Sequence, residues 1–238
     1  MKKKVLIIID IILVILIIIS GYKIITWLLN NNDTVKTLEE VKEKAVIKDI
    51  ELNTTTAHKI DFNNLKDINK DSIAWLVVNN TNIDYPVVQS SNNDYYLNHN
   101  FYKEKSDTGW PYLDYRNKLS DKNIIIYAHN RLDNSMFGSL KKLKKNGWLN
   151  NLSNRQIVLT TRLGNIEYEI FSIYEVKEEN YYLTTVFNDK EYEKFLNTLK
   201  KRSMYDLNVD LTNTKQVITL STCTTDNGSR LVVHAKRK

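Results

Sequence analysis

Hydrophobic positions along the chain fall into three textures. Residues 5–19, VLIIIDIILVILIII, hold fourteen apolar residues broken only by Asp10. Taken on to Leu29 the stretch has 25 residues, about 37 Å as a helix, against the roughly 30 Å of a bilayer core. Lys2, Lys3 and Lys4 precede it and Asp10 lies near the end that enters the membrane, where a carboxylate is penalised least. The pattern predicts an uncleaved signal anchor with the lysines in the cytoplasm and residues 30–238 outside. A cleaved signal peptide shares the basic start and the apolar centre. Its small-x-small cleavage pattern is poor here, because Ile18 and Ile19 precede Ser20.

A polar break at Asn30–Asp33 leads into the second texture. Val35, Leu38, Val41 and Ala45 or Val46 recur at spacings of three and four, with Asp33 or Thr34 as N-cap, which predicts a helix. Phe62, Leu65 and Ile68 predict a second, shorter one. From Ile73 onward short strand patterns take over: 73–78, 82–88, 123–128, 156–160, 166–176, 216–222 and 230–236. Two helical patterns interrupt them. Ser135–Leu143 is short, whereas Asp189–Lys201 carries Tyr192, Phe195, Leu196 and Leu199 at i, i+3, i+4 and i+7. Many short strands with few helices predict a mainly β domain, a barrel or a sandwich. The chain thus divides into an anchor (1–29), a linker with N-terminal helices (30–70) and a β domain (71–238).

Charge and composition narrow the classes of function. Of the 238 residues, 34 are Lys or Arg and 28 are Asp or Glu, a net charge of +6. The first 29 residues hold +3 of it, leaving +3 over the other 209. So mild a basicity gives no footing for nucleic-acid binding. Six glycines without a Walker, dinucleotide-binding or G-x-S-x-G pattern leave phosphate cradles and the serine-hydrolase elbow without support. No metal site is expected, since the four histidines lack paired spacing and one cysteine cannot build a thiolate site. Nor does any motif call for a cofactor.

That cysteine, Cys223, ends a strand pattern beside Thr222, Thr224, Thr225 and Asp226. A lone cysteine is commonly a small buried hydrophobe, but a polar strand terminus also suits a nucleophile. Arg230 begins the next strand seven residues later. If DNGS is a hairpin turn, its guanidinium returns toward the thiol and can hold an oxyanion; an ordinary surface arginine has the same spacing. His129 ends the NIIIYA run, 94 residues before the cysteine, where an imidazole can act as acid and base. His58 in a polar stretch, His99 in an aromatic loop and His234 within a strand are its rivals. At this level the chain reads as an exported cysteine enzyme. A membrane-anchored binding module presenting Tyr95, Tyr96, Phe101, Tyr102, Trp110 and Tyr112 stays open, as does a thiol hydrolase.

Three segments together resemble the sortases, specifically class B. Thr219-Leu220-Ser221-Thr222-Cys223 resembles the family's TLxTC nucleophile motif, with Arg230 following in RLVVHAKR. Ile124–Lys141, IIIYAHNRLDNSMFGSLK, resembles the histidine segment, with Ala128 where a glycine commonly stands. IDYPVVQ and LDYRN, within 82–117, resemble early-strand segments. The likeness spans roughly residues 35–238, and the helix at 189–201 matches the insertion that separates class B from class A.

The resemblance implies a closed eight-stranded barrel with N-terminal helices and a helical insertion before the cysteine strand. It also implies a membrane-anchored transpeptidase acting outside the cell. Cys223 would attack a threonine carbonyl in a C-terminal sorting signal, Asn-Pro-x-Thr-like or Pro-Pro-x-Thr-Gly-like. His129 would move the proton, and Arg230 with the Thr224 backbone N–H would hold the oxyanion. Ser221, Tyr182, Thr184 and Asn93 would line the substrate groove. Its partners would be surface proteins bearing that signal and an amine of peptidoglycan or of its lipid-linked precursor.

Overall fold

The computed structural model describes residues 2–52, 55–145, 147–177, 179–224 and 228–238. The chain forms two compact units, one up to Glu40 and one from Val41 to Lys238. The first is a helix, α1 (Lys2–Ala45), whose last turn belongs to the second unit. Its stretch Lys3–Thr26, 24 residues with none buried, is long and apolar enough to cross a membrane. The expected break at Asn30–Asp33 does not interrupt it. Asn and Asp are only weakly unfavourable in a helix, and neither Gly nor Pro stands between 30 and 45 to stop propagation.

The second unit is built on a closed barrel of eight strands in the order β10-β8-β7-β3-β4-β5-β6-β9. These are β3 (Ser72–Val78), β4 (Asp84–Val88), β5 (Tyr112–Leu113), β6 (Asn123–Tyr127), β7 (Gln156–Thr161), β8 (Gly164–Lys177), β9 (Val217–Cys223) and β10 (Ser229–Arg237). Two neighbouring pairs are parallel, β4 with β5 and β6 with β9, and the rest are antiparallel. The architecture is therefore the mainly β barrel that the short strand patterns and the resemblance led us to expect. Ile124, Ile125, Ile126, Val217, Ile218, Leu220, Val232 and Val233 are fully buried in it. Tyr96, Phe101, Trp110 and Tyr112 are buried as well, so most of the aromatic stripe is packing.

A hairpin that the sequence pattern did not predict precedes the barrel: β1 (Val46–Glu51) pairs antiparallel with β2 (Thr56–Ile60). After it comes α2 (Phe62–Ile68), capped by the Asp61 side chain, which accepts from the N–H groups of Asn63 and Asn64. Between β8 and β9 lies α3 (Asp189–Arg202), started by a capping box of Asn188 and Glu191. It buries the expected stripe of Tyr192, Phe195, Leu196 and Leu199. The Ser135–Leu143 helix forms only as a tight 3₁₀ segment, Gly138–Lys144. Asn134 (φ 66°) and Met136 (φ 51°) are left-handed and block an earlier start. A Cβ on Gly138 would meet the Arg131 carbonyl oxygen at 2.1 Å, so only glycine fits there.

Candidate active site

Strand direction brings the histidine and the cysteine to one rim. Because β6 and β9 are parallel, both end on the same side of the barrel, with Tyr127 opposite Ser221. His129 and Cys223 each follow that last pair by two residues, so both emerge at the same rim. A buried hydrogen bond fastens the extension: Thr222 Oγ1 donates to the Ala128 carbonyl at 2.7 Å. Cys223 is exposed and Ala128 buried. The barrel thus stays closed to solvent up to the residue before each reactive group.

The antiparallel neighbour supplies the cation. Arg230 of β10 is the register partner of Cys223, and its Nη1 donates to Cys223 Sγ at 2.7 Å. The backbone N–H of Thr224, expected to help hold an oxyanion, instead donates to the Ser229 carbonyl at 3.0 Å. That bond continues the β9–β10 ladder into the turn, so the N–H is engaged in closing the hairpin. Thr225 and Asp226, read as part of the cysteine's polar setting, lie outside the described residues.

A backbone carbonyl orients His129. Its Nε2 lies 2.7 Å from the Leu97 carbonyl oxygen. A carbonyl only accepts, so Nε2 carries the proton and Nδ1 is the nitrogen left for proton exchange. Gly109 makes this contact possible: at φ 61°, a Cβ on it would meet the carbonyl oxygens of Tyr96 and Leu97 at 2.6 and 2.8 Å and His129 Cδ2 at 3.1 Å.

The rival histidines are engaged by other partners. His58, on β2 rather than in a linker, lies between Asp49 and Asp84 at 2.7 and 2.9 Å. His99 stacks on Tyr95, ring centroids 4.0 Å apart. His234 is fully buried, and burial, helped by Arg202, pushes its pKa down to about 3. It joins a polar chain inside the barrel, in which Asn123, Thr219, His234 and Tyr174 are linked at 2.6, 2.9 and 2.9 Å.

The expected groove residues divide by exposure. Ser221 and Tyr182 are both buried, and their hydroxyls meet at 3.1 Å. Thr184 is exposed, and Asn123 Nδ2 holds the segment by donating to the carbonyls of Tyr182 and Thr184 at 3.0 and 2.8 Å. Asn93 is half-buried and donates to Asp114 Oδ2 at 3.2 Å.

Asp114 is a residue that sequence reasoning passed over, although it lies in the LDYRN segment. It is fully buried and accepts from Tyr127 Oη at 2.9 Å and from Arg116 Nε and Nη2 at 2.9 and 2.8 Å. Burial pushes its carboxyl up, but the hydrogen bonds from Arg116 and Tyr127 outweigh that and hold it below the usual carboxylate value. Tyr112, whose ring centroid is 5.4 Å from that of Tyr127, lies close enough to Arg230 for the guanidinium charge to act on its hydroxyl. Burial first of all pushes its hydroxyl up, so it stays neutral. Among the described residues, no group of three His, Cys, Asp or Glu side chains could hold a metal ion.

Chemically, the rim offers a solvent-facing thiol, a guanidinium in contact with it and an imidazole from the parallel neighbour. These are the parts of an acyl-transfer site. Comparison with known proteins points the same way. Residues 76–238 match the Sortase domain family. Sortase B of Listeria monocytogenes is 36% identical over 223 residues, covering 91% of this chain and 90% of its own. Sortase B of Staphylococcus aureus is 32% identical over 225 residues, covering 92% and 90%. A solved sortase B from Bacillus anthracis superposes with a TM-score of 0.77 at 33% identity, over 88% of this chain and 98% of its own.

Proposed function

This chain belongs to the sortase family, class B, the cysteine transpeptidases, and on that premise we propose that Cys223, His129 and Arg230 carry the reaction. Cys223 Sγ attacks the carbonyl carbon of a threonine in a C-terminal sorting signal, Asn-Pro-x-Thr-like or Pro-Pro-x-Thr-Gly-like. The Cys223 proton passes to His129 Nδ1 as the sulfur attacks; the C–N bond after that threonine then breaks, His129 gives that proton to the leaving amine, and a thioester to Cys223 remains. An amine of peptidoglycan or its lipid-linked precursor then loses a proton to His129 and attacks the thioester, freeing the thiol. Arg230 donates to the oxyanion of both tetrahedral intermediates.

The observation that carries this reading is the 2.7 Å contact of Arg230 Nη1 with Cys223 Sγ. A donor already fixed at the sulfur lies beside the place where the oxyanion, two bonds from that sulfur, forms, and needs no reorganisation. Asn93, Thr184 and Thr224 border the groove, while Ser221 and Tyr182 shape it from beneath. Residues 1–29 are the single membrane span, 30–70 the connecting segment, and 71–238 the catalytic domain outside the cell. The apolar stretch Lys3–Thr26 supports the anchor.

The full chain in detergent, given a panel of fluorogenic sorting peptides with and without an amine acceptor, tests the assignment. Cleavage after threonine that disappears in Cys223→Ala, with ligated product when amine is present, is the expected result. Cleavage that never yields ligated product would replace the transpeptidase by a thiol hydrolase. Full activity in Cys223→Ala would overturn the assignment of the nucleophile.

A further inference from the structure

At the barrel end away from Cys223 lies a groove of about 710 Å³ between α2 and the turn joining β7 to β8. Gln216, which lines it, immediately precedes β9, so the groove is a full seven-residue strand from Cys223, about 20 Å. Phe62, Leu119 and Ile166 supply apolar surface, and Lys66, Arg162 and Arg237 supply charge. No carboxylate lines it. Leu163, which also lines it, stands at the tip of the two-residue β7–β8 turn and is 100% exposed. An apolar groove rimmed by three cationic side chains has the make-up of an interaction surface.

The groove also adjoins the residues by which the chain enters this unit. The Ala45 carbonyl accepts from Asp61 N–H at 2.8 Å and the Lys44 carbonyl from Asn64 Nδ2 at 3.2 Å. Both donors belong to the cap and first turn of α2, the helix that contributes Phe62 and Lys66 to the groove. Arg162 Nη2 in turn donates to Asn63 Oδ1 at 3.1 Å, tying the β7–β8 turn to the same helix.

We infer that this groove and Leu163 form a docking surface for an anionic membrane lipid. The phosphate of the lipid lies among Lys66, Arg162 and Arg237, while Leu163 and the apolar lining meet its acyl region. Charge complementarity selects the partner: cations near an anionic bilayer each strengthen binding about fivefold, and exposed apolar side chains insert at the headgroup boundary. The inference rests on the anchor reading, since a tether raises the effective concentration of the groove at the membrane.

Hydrogen exchange of the full chain in nanodiscs tests it, comparing discs with phosphatidylglycerol against discs of phosphatidylcholine alone. Slow exchange of residues 3–26 in both discs reports the anchor by itself. Amides of 62–66 and 161–166 are expected to exchange about tenfold more slowly in the anionic discs. The variant Leu163→Ser with Arg237→Glu, altered only at exposed positions, should lose this difference while its residues 3–26 stay protected. Equal exchange of the groove amides in both discs, in an anchored chain, would overturn the docking surface and leave the anchor standing. The same protection from inorganic phosphate in neutral discs would overturn the lipid as ligand. A chain that enters neither disc would overturn both readings.

Discussion

Thr222 Oγ1 donates to the Ala128 carbonyl at 2.7 Å, which ties the residue before Cys223 to the residue before His129. Both partners are buried, and the bond lies where the β6–β9 ladder has stopped. It therefore holds Cys223, at the end of β9, and His129, beyond the end of β6, in step after the ladder between those two strands has ceased to do so.

Replacing that hydroxyl by an isosteric methyl leaves a buried carbonyl unpaired. Thr222→Val is expected to lower stability by about 1–2 kcal/mol and kcat/KM by about tenfold or more, through misplacement of His129 relative to Cys223. Thr222→Ser keeps the hydroxyl and should recover most of the rate. Peptide-cleavage kinetics beside urea unfolding separate the two effects. A Ser variant as impaired as the Val variant would remove the hydrogen bond from the explanation.

Arg230 meets Cys223 through Nη1, one of several donors fixed on a planar guanidinium, and an ammonium does not reproduce that fixed set of donors for sulfur and oxyanion together. Arg230→Lys should lose about 10²-fold in kcat, and Arg230→Ala about 10²- to 10³-fold. Thioester formation, read by intact mass after one turnover, is expected to slow in parallel. The pH–rate profile of the wild type should be bell-shaped, because thiol and imidazole must hold opposite protonation states. A profile flat from about pH 5 to 10 would contradict the pairing of these two groups.

The barrel was legible in the sequence because its strands run apolar or alternate, as in the isoleucines of NIIIY and the Ile-Thr-Leu-Ser stretch of VITLSTC. β5 was not legible, since two residues, Tyr112 and Leu113, carry no period. The β1–β2 hairpin escaped for another reason: β1 exposes most of its residues, so VIKDIE shows no buried face. Of the site, Cys223, Arg230 and His129 were visible as residue types at strand ends. The Leu97 carbonyl, Gly109 and Asp114 were not, because a backbone acceptor has no sequence signature and the other two act only through what the fold packs against them.

The hydrogen bond from His129 Nε2 to the Leu97 carbonyl fixes a tautomer. In ¹H–¹⁵N spectra of the resting enzyme, the neutral ring should carry its proton on Nε2. Gly109→Ala would push a methyl against the Leu97 oxygen at 2.8 Å and His129 Cδ2 at 3.1 Å, at a positive φ that alanine tolerates poorly. The variant is expected to populate the Nδ1–H tautomer and to lose about tenfold or more in kcat, with KM changed less. A spectrum unchanged by the substitution would show that Gly109 does not position the ring.

His58 is the second titratable centre, away from the rim. Its ring bridges Asp49 on β1 and Asp84 on β4, while Lys42 in the last turn of α1 pairs with Asp84 and Trp75 Nε1 donates to Asp84 at 2.7 Å. Burial pushes the imidazole pKa down, but the hydrogen bonds and charges of Asp84 and Asp49 outweigh it and the net shift is upward. Burial likewise pushes the Asp84 carboxyl up, and His58 and then Lys42 overcome this, bringing it down to about 2. A raised histidine stabilises fully below its unfolded value of about 6.5 and ceases to as pH climbs through the folded one. A lowered carboxylate stabilises above its unfolded value near 4 and ceases to as pH falls toward 2. The cluster is therefore strongest between about pH 4 and 6.5. Asp84→Asn should destabilise the full chain by about 2 kcal/mol at pH 5.5. The deficit of His58→Gln should be largest there and shrink by pH 9. Urea unfolding followed by tryptophan fluorescence reads both, and a His58→Gln deficit that grows toward pH 9 would reverse the sign assigned to the pair.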